Sequence, residues 1–402
     1  MSTATLSRKL SVRPTARDHV SWLNRIACIS TSRADAGIYR PLLRALAAEE
    51  PWSVSLLAGG THFDESFGET VGEFDSIADL EIHEVRHFVR GDNPTSVATS
   101  TGQAVGEFAR AIHHARPDMV FVLGDRTEML AAALAATIHG IPIAHLHGGD
   151  TTVGACDDAC RHAITKLSHL HFPAIIEHGD LIAAMNESRW RIHAVGALAL
   201  DSLKDFVPLS RDELYDAIGV DFARPTALVA FNPETLSQLP VEQQIDAVCQ
   251  AVRPYDGGLL LIGPNADVGH AVVRAALQDL AATRRATHLA ASLTQRQFWS
   301  ALAHATALIG NSSAGILEAA SFRLPVVNIG DRQKGRVAPN NVIHAPFESA
   351  TIRLAIQRAN SREFRQGLSK LKNPYGDGNA AGRILEALWT LPDRRMVLTK
   401  TA

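Results

Sequence analysis

Residues 120–172 read VFVLGDRTEMLAAALAATIHGIPIAHLHGGDTTVGACDDACRHAITKLSHLHF. The apolar run 119–123 is typical of a strand buried on both faces, and residues 124–126 separate it from an Ala- and Leu-rich helix. A second apolar run, 141–146, leads into His147-Gly-Gly-Asp150. Open α/β sheets bind their ligands at the carboxyl ends of the strands. The stretch therefore predicts a strand–helix–strand unit of a parallel sheet with a ligand site at its edge.

The same alternation of strands and helices precedes this stretch. Apolar strands are predicted at residues 25–30 and 54–58, with a helix at 38–48 between them. Residues 59–93 are predicted to form a mobile polar segment. After the central stretch, a short strand at 192–196 ends in glycine, and we place a hinge there.

A second series of strands and helices follows the hinge. Its predicted strands are 227–231, 258–262, 287–290, 307–309 and 325–329. Strands that alternate with helices form parallel, right-handed, doubly wound sheets. We therefore predict an α/β fold with two Rossmann-like domains facing a cleft. Its predicted parts are a flexible N-terminal extension (1–22), an N-terminal Rossmann-like domain (23–195), a C-terminal Rossmann-like domain (196–375) and a C-terminal segment (376–402).

Composition excludes several classes of function. The 402 residues are 46% apolar and 20% charged, and the net charge of −3 gives no reason to expect nucleic acid. No apolar run approaches the roughly 20 residues that span a bilayer, so we expect no membrane insertion. Four cysteines do not form a disulfide framework in a chain this long, which fits a reducing cytoplasm. The basic first residues lack the apolar segment of a secretory signal, although an organelle transit peptide stays open.

A phosphate-binding pattern lies in the second half. Residues 310–315, Gly-Asn-Ser-Ser-Ala-Gly, connect a strand to a helix, where small residues, hydroxyls and helix-start N–H groups bind phosphate. Glu318 could accept hydrogen bonds from two ribose hydroxyls. Residues 332–336 carry two arginines and a lysine, and Arg33 follows the first strand. The alternative is an ordinary serine-capped turn. The combined pattern favours a nucleoside diphosphate.

Acidic residues gather near the central stretch. Carboxyl groups crowded in a dry cleft acquire different pKa values, which provides one proton donor and one proton acceptor near neutral pH. His147 adds a group that titrates close to neutrality. The alternative is structural, with the acids capping helices or pairing with arginine and the histidine packed in the core. The acidic candidates are Asp125, Asp150, Asp157 and Asp158.

Histidines and cysteines in the same region could suggest a metal site. Their spacing does not form the closed set of ligands that zinc requires. We therefore expect no metal. These residues are His145, His147, Cys156, Cys160, His162, His169 and His171.

Several motifs together resemble the hydrolysing UDP-N-acetylglucosamine 2-epimerases of sialic and legionaminic acid biosynthesis. They occur in the family's order between about residues 25 and 388. The motifs are residues 31–35, 124–129, 145–150, 157–166, 168–171, 310–316, 330–336 and 373–379. The resemblance implies a glycosyltransferase type B-like fold and a homodimer or homotetramer. It also implies that the sugar and the catalytic residues lie in 23–195, that 196–375 bind UDP, and that a C-terminal helix in 376–402 crosses back to the first domain.

The resemblance also implies a reaction and a set of site residues. UDP-N-acetylglucosamine would lose its C2 proton and UDP, and hydration of the 2-acetamidoglycal would give N-acetylmannosamine without a cofactor. The implied catalytic residues are Asp125, His147 and Asp157. The implied residues that bind substrate or UDP are Arg33, Asn232, Phe298, Ser312, Ser313, Gly315, Glu318 and Arg336.

Two positions depart from the family pattern. His147 stands where some members carry glutamate, and Asn232 stands where the family usually has histidine. These departures leave other functions open. One alternative substrate is UDP-2,4-diacetamido-2,4,6-trideoxyglucose, and the further alternatives are a non-hydrolysing epimerase, a type B glycosyltransferase and a non-catalytic binder of nucleotide sugars.

Overall fold

The structure is a computed structural model that describes residues 20–91, 93–151, 156–235, 237–265 and 267–400. Most of the predicted extension, residues 1–19, lies outside the described residues. None of the helices in these described ranges is long and apolar enough to cross a membrane.

The first half forms a six-stranded parallel sheet in the order β3-β2-β1-β4-β5-β6. The strands are β1 (Arg25–Ser30), β2 (Ser53–Gly59), β3 (Glu81–Val85), β4 (Met119–Leu123), β5 (Ile143–Leu146) and β6 (Leu170–Phe172). Strand β4 is buried along its whole length, as its apolar sequence predicts. The helices are α1 (Arg33–Ala47), α2 (Pro94–Ala115), α3 (Thr127–Ile138), α4 (Asp157–Leu167) and α5 (Ile176–Ala184).

The second half repeats this topology. Its parallel sheet has the order β12-β11-β10-β7-β8-β9, which is the strand order of the first sheet read from the opposite edge. The strands are β7 (Thr226–Ala230), β8 (Gly258–Ile262), β9 (Thr287–Ala290), β10 (Leu308–Gly310), β11 (Val326–Ile329) and β12 (Val342–Ala345). The helices are α6 (Arg211–Ile218), α7 (Val241–Val252), α8 (His270–Thr283), α9 (Gln295–His304), α10 (Ala314–Leu317), α11 (Ser349–Asn360), α12 (Arg362–Gly367), α13 (Ala380–Trp389) and α14 (Arg394–Leu398). The prediction of two Rossmann-like domains is confirmed.

Two sequence-based assignments of secondary structure are wrong. Strand β3 lies inside the segment predicted to be a mobile loop, and it pairs with β2. It is an edge strand with exposed Glu81 and Glu84, so its sequence lacks the apolar character of the central strands. The strand predicted at 192–196 is reduced to one isolated bridge between Ile192 and His171.

Helix α13 returns to the first sheet. Its buried residues Ile384 and Leu388 belong to the hydrophobic cluster that surrounds strands β1, β2, β4 and β5. The ring of Trp389 stacks on Trp52 with centroids 4.5 Å apart. The last residues therefore complete the core of the first half, while the exact domain boundaries stay a prediction.

The two halves also touch across the cleft between helices α1 and α9. Gln295 Nε2 donates to the carbonyl of Gly37 (2.9 Å), and Arg40 Nη2 donates to Gln295 Oε1 (3.4 Å). A Cβ atom at Gly37 would lie 2.9 Å from Gln295 Nε2, so glycine permits this close approach. The contact closes one end of the cleft.

Candidate active site

A cavity of about 1000 Å³ lies between the two halves at the carboxyl ends of both sheets. This volume is at the upper end of the range for small-molecule sites. The predicted site residues that line it are Arg33, Asp125, His147, Asp157, Asn232, Phe298, Ser312, Ser313, Glu318 and Arg336. Residues that are distant in the sequence therefore share one cavity.

Gly315 is the exception among the predicted site residues. It is buried in α10 and is not among the residues that line the cavity. A Cβ atom at this position would lie 2.9 Å from Val326 Cγ1. Its lack of a side chain therefore lets α10 pack closely against β11, and the assignment of Gly315 to ligand binding stays a prediction.

Asp125 lies at the end of β4 and faces a buried arginine. Arg161, on α4, forms an ion pair with the Asp125 carboxylate through Nη2. Its side chain is 2% exposed, and its Nη1 lies 3.5 Å from Asp158 Oδ1. An adjacent guanidinium favours the ionised form of a carboxyl group. The ion pair therefore favours the ionised form of Asp125, which is the form that can accept a proton.

Asp157 is the first residue of α4 and has a different environment. Burial and the nearby Asp267 carboxylate raise the pKa of Asp157, whereas Arg332, Arg126 and Arg336 act in the opposite direction. Its Oδ2 lies 3.7 Å from Arg332 Nη2, which is longer than a hydrogen bond. Asp157 is therefore suited to hold a proton closer to neutral pH than an exposed aspartate does.

His147 adopts a left-handed backbone conformation with φ of 59°. The backbone N–H of Leu198 donates to its Nε2 (3.4 Å), so in a neutral ring Nδ1 carries the proton. Burial lowers the pKa of His147 to about 4, although the Asp150 carboxylate opposes this shift. The imidazole is therefore neutral at pH 7 and can act as a hydrogen-bonding group there.

Asn232 follows β7 and is hydrogen-bonded to Asn311, which follows the neighbouring strand β10. Its backbone N–H donates to Asn311 Oδ1, and Asn311 Nδ2 donates back to the Asn232 carbonyl, both at 2.8 Å. The N–H of Asn265 donates to Asn232 Oδ1 (2.9 Å). Within the described part of the chain, no hydrogen bond uses Asn232 Nδ2. This amide can therefore donate a hydrogen bond into the cavity but cannot titrate.

The wall of the cavity that the second half provides contains Glu318 and Phe298. Trp299 Nε1 donates to Glu318 Oε1 (2.8 Å), which fixes the carboxyl group in this wall. Burial raises the pKa of Glu318. Ser312 and Ser313 lie at the preceding strand–helix turn. The arrangement presents hydroxyl groups and a carboxyl acceptor to one ligand.

The loop after β11 supplies positive charge. Arg336 binds Asp150 Oδ2 through Nη2 (2.9 Å) and donates through Nε to the Thr151 carbonyl (2.9 Å), so it bridges the two halves. Buried Glu234 accepts the backbone N–H groups of Asp331 (2.7 Å) and Arg332 (2.8 Å). The loop that carries these arginines is therefore held in place by a carboxylate from the end of β7.

Four residues near the site were not predicted as site residues. Arg126 and Arg161 lie inside motifs that were quoted, and their buried positions near carboxylates were the missing information. Glu234 and Asp267 had no signal in the sequence, because their partners lie on other strands or in the other half.

The histidines considered as metal ligands bond to other groups. His145 Nε2 bonds to the Gly124 carbonyl (2.7 Å), and His171 Nε2 bonds to Glu187 Oε2 (3.3 Å). The N–H of Ile143 donates to His169 Nδ1 (3.1 Å). No group of three His, Cys, Asp or Glu side chains among the described residues is arranged to hold a metal.

Comparison with known proteins identifies the family. Residues 44–389 match the profile described as UDP-N-acetylglucosamine 2-epimerase. A Legionella pneumophila protein named UDP-N,N'-diacetylbacillosamine 2-epimerase (hydrolyzing) is 32% identical over 385 residues, covering 94% of this chain and 99% of that protein. A Campylobacter jejuni protein named GDP/UDP-N,N'-diacetylbacillosamine 2-epimerase (hydrolyzing) is 31% identical over 346 residues, covering 85% of this chain and 89% of that protein.

Solved structures share the fold. The crystal structure of UDP-GlcNAc 2-epimerase from Neisseria meningitidis bound to UDP-GlcNAc superposes with a TM-score of 0.78 at 18% identity, covering 90% of this chain and 99% of that one. The glycosyltransferase type B-like arrangement predicted from the sequence is thereby confirmed. The profile match over most of the chain, together with a relative above 30% identity along nearly its full length, establishes that this chain belongs to the UDP-N-acetylglucosamine 2-epimerase family.

Proposed function

We propose that the protein is a hydrolysing 2-epimerase that converts a UDP-2-acetamido sugar and water into the free 2-epimeric sugar and UDP. One observation carries this proposal: the cavity contains two carboxyl groups in opposite environments. Asp125 is paired with a buried arginine, whereas burial and a second carboxylate raise the pKa of Asp157. Such a pair provides a base and an acid in one site.

In the first step, the Asp125 carboxylate accepts the C2 proton of the sugar. The electrons of the C2–H bond form a C1=C2 double bond, and the C1–O bond breaks with its electron pair leaving on UDP. The arginines of the cavity stabilise the charge that develops on the diphosphate. The product of this step is a 2-acetamidoglycal.

In the second step, water adds to C1 of the glycal and Asp157 delivers a proton to C2 on the opposite face. The proton lost by the water restores Asp157, and Asp125 releases its proton to solvent. Neutral His147, between Asp150 and the backbone N–H of Leu198, orients the water or the acetamido group through hydrogen bonding.

The nucleotide half of the substrate would bind in the second domain. We propose that Phe298 stacks on uracil, that Glu318 accepts the ribose hydroxyls, and that the hydroxyls of residues 312–313 bind phosphate. Arg33 and Arg336 would bind the diphosphate from the two sides of the cleft. Asn232 Nδ2 would donate to a phosphate or sugar oxygen without taking part in proton transfer.

The sugar side of the cavity supports a particular substrate. We place the sugar against cavity-lining residues that include apolar Val89, Val97 and Ala98 and polar Thr101 and Glu128. A 6-methyl group and a second acetamido group need such a surface with a polar partner. Two relatives above 30% identity are named as epimerases of N,N'-diacetylbacillosamine, a 2,4-diacetamido-2,4,6-trideoxy sugar. We propose UDP-2,4-diacetamido-2,4,6-trideoxyglucose as the preferred substrate.

UDP-N-acetylglucosamine is the second candidate substrate. The sequence motifs imply it, and the Neisseria meningitidis structure that shares the fold is described as bound to UDP-GlcNAc. The two sugars differ at C4 and C6, so the ratio of their kcat/KM values measures how much the apolar cavity-lining residues contribute to substrate preference. We expect the diacetamido sugar to be preferred by at least tenfold, since burying a methyl group and pairing an amide each contribute about 1 kcal/mol.

An NMR time course in D2O tests the reaction. Purified protein is incubated with each UDP-sugar, and the Asp125→Asn variant serves as the control. We expect UDP and a free 2-epimeric sugar with deuterium at C2, and a loss of at least about a hundredfold in the variant. UDP-bound 2-epimer as the accumulating product would contradict hydrolysis. Turnover that required an acceptor alcohol would identify a glycosyltransferase, and UDP binding without turnover would identify a non-catalytic binder.

The proposal also includes a homodimer or homotetramer and a cytoplasmic location, as inferred from the sequence. Light scattering coupled to size-exclusion chromatography measures the first, and a monomer at micromolar concentration would contradict it.

A further inference from the structure

Two carboxyl groups from different halves face the same arginine across the cleft. Asp157 starts α4 in the first half, and Asp267 lies in the loop between β8 and α8 in the second half. Arg332 Nη2 lies 3.7 Å from Asp157 Oδ2 and 3.8 Å from Asp267 Oδ2. Both acids line the cavity. The closed cleft therefore brings a second carboxylate next to the proposed acid.

Arg332 does not neutralise both groups. Its two distances exceed hydrogen-bonding length, and its buried Nε has no hydrogen-bond partner among the described residues. The two carboxylates repel each other, and the Asp267 charge raises the pKa of Asp157. The other charged or titratable groups that influence Asp157, or are influenced by it, are Arg126, Arg336, Cys156 and Cys160.

We propose that Asp267 is a positioning residue that keeps Asp157 protonated when the two halves close on the substrate. This inference rests on the proposed function, in which Asp157 delivers a proton to C2. Because Asp267 belongs to the other half, opening the cleft separates the carboxyl groups and allows Asp157 to ionise. Closure of the two halves and protonation of Asp157 are thereby coupled.

The predicted pH dependence has a definite sign. Turnover needs protonated Asp157, so kcat falls as the pH rises through the pKa of this group. Asp267→Asn removes a like charge while keeping the shape of the side chain, which lowers the pKa of Asp157. We expect the alkaline limb of the kcat profile to shift to lower pH by about one unit. Above this limb kcat falls about tenfold, whereas on the acidic plateau it is unchanged.

Matched variants separate this effect from a structural one. Asp279→Asn makes the same chemical change on the exposed face of the neighbouring helix α8, and it should leave the pH dependence of kcat unchanged. UDP affinity, measured by calorimetry, should change less than about threefold in Asp267→Asn. In an Asp157→Asn background, which lacks this limb, adding Asp267→Asn should leave the residual kcat unchanged at every pH. A kcat that falls equally at every pH would overturn the proposal.

A second readout does not depend on turnover. In protein labelled with 13C at aspartate carboxyl carbons and saturated with UDP, the Asp157 resonance is assigned by its loss in Asp157→Asn. We expect Asp267→Asn to lower the titration midpoint of this resonance by about one pH unit. An unchanged midpoint would refute the role of Asp267. If no sugar were turned over while the midpoint still moved, the proposed function would fail and the coupling between the two acids would stand.

Discussion

Glu187 offers a quantitative test of how the first half is held together. Its carboxylate is 1% exposed and contacts Lys166 Nζ (2.6 Å), Lys400 Nζ (2.8 Å) and His171 Nε2 (3.3 Å). These partners come from α4, the C-terminal segment and β6. We predict that Glu187→Gln, which keeps the size but removes the charge, destabilises this half by an amount that depends on pH.

The pKa of Glu187 gives the magnitude. Burial raises it, but hydrogen bonds from His171, Lys166 and Lys400 outweigh burial and lower it from 4.5 to about 2. This shift corresponds to about 3 kcal/mol of the free energy of unfolding at pH 7. Because the pKa is lowered in the folded state, the stabilisation is complete above pH 4.5 and is lost as the pH falls towards 2. About 60% of it should be gone at pH 3.

Thermal unfolding followed by circular dichroism measures the effect. At pH 7 we expect the midpoint of the first half in Glu187→Gln to fall by about 6 to 12 °C. At pH 3 we expect the difference in midpoint between the variant and the parent protein to be about 40% of its value at pH 7. Glu177→Gln, an exposed change on α5, is the control and should leave the midpoint within about 1 °C. A gap that is equal at pH 7 and pH 3 would refute the electrostatic explanation.

Two further predictions concern the cavity. Glu318→Gln should weaken UDP binding about tenfold in calorimetry, since a charged acceptor of ribose hydroxyls contributes about 1.5 kcal/mol more than a neutral one; an unchanged Kd would remove Glu318 from the nucleotide site. The His147 imidazole should stay neutral down to pH 5 in 15N NMR titrations and gain its proton only near pH 4, because burial disfavours its charged form. Its folded-state pKa is lowered, so this group reduces stability as the pH falls from 6.5 to 4, and a midpoint between 6 and 7 would contradict the burial argument.

The sequence predicted the central strands better than the edges of the sheets. Strand β4 reads as an uninterrupted apolar run because both of its faces are covered, and such runs are easy to recognise. Strand β3 lies at the edge and carries Glu81 and Glu84 on exposed positions, so the pattern resembled a loop. Strand β12 was not predicted either, and it too lies at an edge.

The parts of the candidate site that could be predicted are those whose residues are close together in the sequence. Motifs that combine a strand end with the next helix, such as residues 310–315, predicted residues that line the cavity. The packing of Gly315 against β11 could not be predicted, because spacing does not distinguish a cavity-lining glycine from one that packs against a strand. Asp267 was missed because its partner Asp157 is on the other half, and only the closed cleft brings them near the same arginine.

The return of α13 to the first half has a consequence for biosynthesis. The first sheet is translated before the second half, yet Ile384 and Leu388, which fill part of its core, and Trp389, which stacks on Trp52, are translated after the second half. Until these residues are made, the nascent first half exposes the apolar surface that they cover, and such surface favours aggregation and chaperone binding. A ribosome that stalls in the second half therefore leaves the core of the first half incomplete as well.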